Sequence, residues 1–298
     1  VGPTASGKSA LALEIARRCP DVELVSVDSM QVYRGMDIGT AKPTLSEQAE
    51  VQHHLIDVAD PWEDFTVARF QAAAREVLAG IEARGKRALL VGGTGLYLRA
   101  VIDDLAVPGL YPDVRAELDA EPDTAGLHER LATLDPVAAG RTTASNRRRI
   151  VRALEVTIGS GAPFSSFGPG LELHGPSRFR LLGLWLPRTV LAERIAARVE
   201  AMFAAGLVDE VATLARHPKG MSRTARQALG YKEVLAHLEG GAALDGVMAE
   251  VVRRTLRFAR RQWAWFRRDP RISWVGVPSN PLAAMPVLLG DWMASWVA

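Results

Sequence analysis

The sequence predicts an α/β fold with a parallel sheet core, a helical insertion domain and a helical C-terminal part. Three observations predict it. Short β-branched runs alternate with amphipathic helical stretches through residues 1–111. The strand pattern is absent from residues 112–174 and returns at Arg180-Leu181-Leu182-Gly183-Leu184-Trp185-Leu186. After Pro187 the periodicity is helical. Residues 1–111 and 175–298 are therefore read as the core with its C-terminal helices, and 112–174 as the insertion.

Composition bounds the function classes. The chain has 298 residues, 48% hydrophobic and 23% charged, which suits one large or two modest domains. A formal net charge of +2 does not by itself imply nucleic acid, but the arginines are clustered. One cysteine, Cys19, excludes an internal disulfide framework and a cysteine-based zinc site. No signal-peptide pattern and no apolar run of membrane-spanning length is present, so the expected location is cytoplasmic with no membrane partner. Nothing demands more than a monomer.

The first nine residues organise the rest. Val1-Gly2-Pro3-Thr4-Ala5-Ser6-Gly7-Lys8-Ser9 contains a complete G-x-x-x-x-G-K-[ST] motif, which makes the core P-loop NTPase-like. Gly2 and Gly7 let successive N–H groups turn toward one anion, Lys8 adds a charge, and the Ser9 hydroxyl suits Mg2+. Ser9 to Arg18 reads as a helix whose positive dipole end faces the same anion. The alternative is a chance match in a glycine-rich turn, against which the helix weighs. The motif specifies a phosphate or diphosphate ligand for Gly2 to Ser9 and no reaction. Such a loop follows a buried strand, so a few residues of that strand are expected before Val1.

The remaining elements follow in order. Asp21–Asp28 is a strand ending on an acid. Asp28 is either a ligand at the sheet's carboxyl edge or a helix N-cap, and the sequence leaves both open. Gly35–Pro43 is a loop with two glycines and Lys42, and His53–Val58 reads as a short strand. Adjacent His53 and His54 would point to opposite faces, which favours structural or substrate-lining roles over a metal pair. Thr66–Ala83 is an amphipathic helix with Phe65 and Phe70 in the core. Lys86–Val91 is a strand that runs into Gly92-Gly93-Thr94-Gly95. Thr94 there either faces the sheet edge or caps the next helix.

Arg115 follows Pro112-Asp113-Val114 at a helix start, and Asn146 to Arg152 packs four arginines into seven residues. These are a ligand face or a solvated helix surface. Residues 159–176 are a Gly/Pro/Ser-rich loop. Leu191–Ala205 is a helix ended by Gly206, and Leu207–Leu214 is the next one. Leu244–Arg268 is the most basic helix, with Arg253, Arg257, Arg260, Arg261, Arg267 and Arg268 interleaved with Trp263, Trp265 and Phe266. Arginine pairs with phosphate and stacks on bases, so this reads as a nucleic-acid or polyphosphate face rather than solvated surface. Ile272–Val275 is a short strand, and a Trp-bearing helix follows.

The strand entering Gly92 carries no acid of the kind that holds Mg2+ in nucleotide-hydrolysing enzymes. The loop therefore suits a diphosphate that leaves, and the arginine clusters suit a second, larger polyanion. In combination and order, several segments resemble the bacterial tRNA dimethylallyltransferase family. They are Gly2 to Ser9, Ser26-Val27-Asp28-Ser29, Gly35 to Pro43, Gly92 to Tyr97, Arg152 to Val156, Gly206 to Val211 and Gln227 to Lys232. The eukaryotic branch's C-terminal zinc finger has no counterpart here.

The resemblance implies transfer of a dimethylallyl group from dimethylallyl diphosphate to N6 of the adenine 3′ of the anticodon, with Mg2+ assisting. It implies Asp28 as general base, and Thr94, Lys8 and Arg226 at the reacting end. It also implies contacts to the tRNA anticodon stem-loop from Asp28, Ser29, Met30, Gln31, Thr94 and Arg115. Further tRNA contacts are implied for Arg148, Arg149, Ile150, Val151, Arg152, Arg226, Gly230, Tyr231, Lys232, Arg260, Arg261, Gln262, Trp263 and Arg267. Competing readings are a kinase, a free-nucleotide isopentenyltransferase and a non-catalytic RNA-binding protein. The missing acid, the arginine clusters and the intact Lys8, Ser9, Asp28 and Thr94 weigh against them in turn.

Overall fold

The computed structural model describes residues 1–284 except Pro169 and Ala242; the Trp-bearing helix expected in the tail lies outside these. The chain forms two compact units. One comprises Val1–Ile102 and the chain from Ser177 onward, and the other Asp103–Pro176. The expected insertion boundaries were 112 and 174. The structural unit starts earlier because the chain leaves the helix ending at Ile102 through Asp104, whose φ is 48°.

In the first unit, β1 (Val22–Val27) is the middle strand of a three-stranded parallel sheet between β2 (His53–His54) and β3 (Arg87–Gly92). β1 pairs with β3 from Val22↔Arg87 to Val27↔Gly92. It is buried along its whole length, as its β-branched valines suggest. The strand expected at 53–58 shrinks to two residues because Leu55 and Asp57 take φ of 61° and 56°, which breaks extended pairing. A second parallel pair joins β4 (Leu181–Trp185) to β5 (Ile272–Gly276). Val1 lies beside β4: its ammonium donates to Leu182 O at 2.6 Å, and its carbonyl accepts from Leu184 N at 3.0 Å. The chain thus enters the glycine loop from strand-type pairing.

Helices cover these strands. α1 (Lys8–Arg18) starts at Gly7, whose φ is 86°, and buries Leu11, Leu13 and Ile15. α2 (Leu45–Glu50) carries a Thr44/Glu47 capping box. α3 (Val67–Ala83) is capped by Thr66 and buries Phe70, Ala74, Leu78 and Ile81 at helical spacing. α4 (Gly95–Ile102) leaves the turn after β3.

The second unit consists of α5 (Pro112–Ala120), α6 (Thr124–Leu134), α7 (Pro136–Gly140) and α8 (Arg147–Ser160). They pack around Leu118, Leu127, Leu131, Ile150 and Leu154.

The first unit continues with α9 (Arg188–Ala204), α10 (Leu207–Ala215), α11 (Tyr231–Gly240) and α12 (Leu244–Phe266). Gly206, at φ 99°, makes the corner between α9 and α10.

One buried charge lies on the middle strand of the sheet, near its amino end. Glu23 on β1 is 3% exposed and receives His54 Nε2 at 2.7 Å, Arg84 at 2.6 Å and Lys86 at 2.9 Å. Burial alone would raise its pKa. The hydrogen bonds from Lys86, His54 and Arg84 outweigh burial and hold it at about 2. A depressed carboxyl pKa contributes stability above the unfolded value and loses it as pH falls from 4.5 toward about 2. Glu23→Gln is expected to cost ~2–4 kcal/mol at neutral pH by denaturant titration. That difference should shrink once the pH drops below 4.5 and vanish as it nears about 2.

Candidate active site

The glycine loop is held from three directions. Ser6 N donates to Pro3 O at 3.3 Å within the loop, and Ala5 takes φ 61°. On α9, Arg194 Nε donates to Ala5 O at 2.9 Å and Arg198 Nη1 to Thr4 Oγ1 at 3.2 Å. On α12, Gln262 Oε1 accepts from Thr4 N at 2.8 Å, and Nε2 donates to Gly93 O at 2.9 Å. Gly2 is required where the loop meets β4, since a Cβ there would lie 3.0 Å from Leu184 O. The first-turn N–H groups of α1, which have no partners inside the helix, open toward the same space.

A cleft of about 420 Å3 lies at this loop, lined by Lys8, Ser9, Asp28, Gln31, Arg194, Arg198 and Gln262 on its polar side. Ala41, Val91, Ala197 and Phe258 supply apolar wall. A larger cavity, about 490 Å3, is walled mainly by aliphatic side chains of β3, β4 and α1 and shares Lys8 and Val91 with this set. Burial pushes the Lys8 pKa down to about 8; Asp28 opposes this and Arg198 adds to it. Burial also lowers Arg198, again opposed by Asp28. Two cations thus share one carboxylate, a balance that an anion would complete.

No helix starts at Asp28, so it is not the helix N-cap that one reading expected; it caps a turn at the carboxyl end of β1 instead. It follows β1, and its Oδ1 accepts from Met30 N at 2.9 Å and Gln31 N at 3.4 Å as a local cap. Its Oδ2 takes no hydrogen bond among the described residues. Thr94 Oγ1 accepts from Ser29 N at 3.2 Å, and Thr94 N donates to Val27 O at 3.4 Å. Thr94 therefore ties the β3 turn to the Asp28 turn and is not itself part of the cleft wall.

The loop Gly35–Pro43 forms the next wall. Gln31 Nε2 donates to Thr40 O at 3.2 Å and Ala41 O at 3.1 Å. From α10, one Glu210 carboxylate accepts from Asp37 N at 3.0 Å, Ile38 N at 2.8 Å and Gly39 N at 3.3 Å. It also accepts from the Tyr231 hydroxyl. Lys42, its side chain 3% exposed, pairs with Asp37 and Asp57 and donates to Tyr33 O at 2.8 Å.

Several predicted residues sit elsewhere or act differently. Arg226 pairs with Glu239 at 2.6 Å on the exterior and does not line the cleft. Tyr231 is buried, and Gly230 turns into α11 at φ 89°. Neither presents a side chain outward, whereas Lys232 is exposed. Gln262 is buried, and Trp263 packs edge-on against Trp274 at 4.5 Å. Arg260, Arg261 and Arg267 are exposed, with the Arg261 guanidinium 5.7 Å from the centroid of Phe258.

In the second unit Ile150 and Val151 are core residues, so their side chains are withdrawn from any ligand. Arg115 and Arg152 both pair with the buried Glu155, at 3.6 Å and 2.8 Å. Arg148 and Arg149 are exposed. His54 serves Glu23, and His53 Nδ1 contacts Val51 O at 2.7 Å. The described residues contain no cluster of three or more metal-type side chains. Arg194 and Arg198 were missed by sequence reading. Their signal was an arginine pair at i, i+4 on the helix after β4, which places both on one face.

An α/β core, a glycine loop at a helix start and a cleft combining two cations with one acid make up the candidate active site. A family model described as IPP transferase matches residues 31–269, and the chain belongs to that family. It is 47% identical over 301 residues to a tRNA dimethylallyltransferase of Bifidobacterium animalis subsp. lactis, covering 99% of this chain and 84% of the relative. It is 49% identical over 279 residues to one of Streptomyces coelicolor, covering 92% and 88%. The full-length tRNA isopentenylpyrophosphate transferase of Bacillus halodurans superposes with a TM-score of 0.72 at 37% identity, covering 99% and 94%. A eukaryotic dimethylallyltransferase acting on tRNA, at 24% identity and a TM-score of 0.80, shares the fold over 99% of this chain and 78% of that one.

Replacing Glu210 by Gln leaves amide hydrogens facing backbone N–H groups. Glu210→Gln is expected to lower stability by ~2 kcal/mol, read by denaturant titration.

Proposed function

We propose that the chain transfers a dimethylallyl group from dimethylallyl diphosphate to N6 of the adenine 3′-adjacent to the anticodon in tRNA, releasing diphosphate. The observation that carries this reading is one cleft shared by the glycine loop, Lys8, Arg198 and a carboxylate with an unbonded oxygen. The core is P-loop NTPase-like, and the loop binds a diphosphate that departs. The C1–O bond of the substrate breaks with its electron pair going to diphosphate, while the N6 lone pair bonds to C1. Asp28 Oδ2 takes the N6 proton, for which its position in the cleft suits it. Lys8, Arg198 and the α1 N–H groups stabilise the charge growing on the diphosphate. The apolar wall of Ala41, Val91, Ala197 and Phe258 suits the hydrocarbon tail.

A Mg2+ fits the donor set: Ser9 is exposed, lines the cleft beside Lys8, and offers a hydroxyl next to the expected diphosphate oxygens. When bound there, the ion would neutralise leaving-group charge.

The adenine must leave the anticodon-loop stack to reach Asp28. Exposed Arg260, Arg261 and Arg267 on α12, with Arg148 and Arg149 on α8, suit the RNA backbone and unstacked bases. Arg198 takes over the diphosphate role expected of Arg226, because Arg226 is paired outside the cleft.

The test is transfer of label from dimethylallyl diphosphate to unmodified tRNA or to AMP, with Mg2+. Label should enter tRNA alone, and Asp28→Asn should lower turnover by ~10²–10⁴. Label in AMP would favour a free-nucleotide enzyme. Phosphate released from ATP without transfer would overturn the reading. Arg198→Ala should raise KM for dimethylallyl diphosphate by about tenfold or more, leaving KM for tRNA within about twofold.

A further inference from the structure

Gln262 is a polar residue in the wrong place for a helix that merely packs. α12 buries Val247, Val251, Ala259 and Phe266 along one stripe, and Gln262 falls within it at 7% exposure. A buried amide in such a stripe is costly unless both its ends are bonded. Both are, to opposite kinds of group. Thr4 N is a donor and faces Oε1 at 2.8 Å; Gly93 O is an acceptor and faces Nε2 at 2.9 Å. The partners fix the orientation of the amide, and no hydrocarbon side chain of the same size replaces it.

The two partners belong to the two glycine turns of the site. Thr4 lies in the glycine loop, where its hydroxyl also receives Arg198 at 3.2 Å. Gly93 precedes Thr94, whose hydroxyl holds Ser29 N at 3.2 Å, next to Asp28. One hydrogen-bonded path therefore runs from Arg198 through Thr4, Gln262, Gly93 and Thr94 to the turn that carries the acid. Gly93 is fitted to it as well: a Cβ there would lie 2.3 Å from Gln262 Nε2.

We infer that Gln262 is a positioning residue that sets the separation between the diphosphate-binding loop and the Asp28 turn, and that it does not contact RNA. This rests on the diphosphate reading of the loop. The amide spans both turns before ligand arrives, so the site is preorganised by α12. It also takes up Thr4 N–H, leaving anion binding to the N–H groups nearer α1.

Titration calorimetry of the full chain with inorganic diphosphate in Mg2+ buffer tests this, with tRNA binding measured in parallel. Gln262→Leu should weaken diphosphate binding by about tenfold or more and leave tRNA affinity within about twofold. Gly93→Ala, which pushes on the same amide, should do likewise and stands in if the leucine variant fails to fold. Gln262→Glu keeps both bonds while protonated and loses the one to Gly93 O once ionised. Its diphosphate affinity relative to the unmodified protein should therefore fall as pH rises, which a purely packing role would not produce. Diphosphate affinity within about twofold in all three variants, or a loss confined to tRNA, would overturn the inference. An unmodified protein that binds no diphosphate would overturn the reading of the loop, and this is seen before any variant is made.

Discussion

Holding the backbone of residues 2–7 in a tight glycine turn is the constraint from which most of the first unit follows. Such a turn takes left-handed residues, here Ala5 and Gly7, and aligns N–H dipoles that repel one another. Within the nonapeptide only Ser6 N and Lys8 Nζ compensate, both donating to Pro3 O among the described residues. The rest comes from distant chain: β4 on one flank, α9 through Arg194 and Arg198, and α12 through Gln262. The C-terminal helices thus hold the glycine loop in shape.

The Gly35–Pro43 loop is solved by the same means. Its glycines cost conformational entropy, and its backbone donors have no strand to pair with. One carboxylate, Glu210, gathers three of those donors, while Lys42 pulls Asp37 and Asp57 together beneath. Gly39 is fixed by this packing, since a Cβ there would lie 2.4 Å from the Tyr231 ring. Three segments that the sequence resemblance picked out separately, around Gly35–Pro43, Gly206–Val211 and Gln227–Lys232, are therefore one structural unit. Tyr231 and Glu210 hold this loop in place from α11 and α10.

Periodicity and motif made much of this legible. The α1 start, the α3 stripe, β1 and β3 were readable because local pattern and burial agree there. Asp28 was readable as an acid at the end of a strand, but the turn it caps, in place of a helix, was not. What sequence could not show was which polar residues turn inward. Gln262 sits among arginines that point outward, and only the rotation of α12 separates it from Arg260 and Arg261. Arg226 and Arg198 look alike in sequence, yet one faces Glu239 and the other Thr4. The early end of β2 was equally hidden, since positive φ at Leu55 and Asp57 has no glycine to announce it.

Pairing, more than number, decides what the arginines do. Arg115 and Arg152 spend their charge on buried Glu155, Arg147 reaches the carbonyl groups of Leu118 and Asp119, and Arg254 is divided between Glu233 and Glu250. These are internal supports, and their removal would leave a buried carboxylate or carbonyl bare. Arg148, Arg149, Arg260, Arg261 and Arg267 are exposed and form no ion pair among the described residues. This second group, more than the net charge of +2, decides where positive charge is open to solvent. Within each unit, therefore, some arginines are committed to carboxylates while others stand exposed, whatever the net charge.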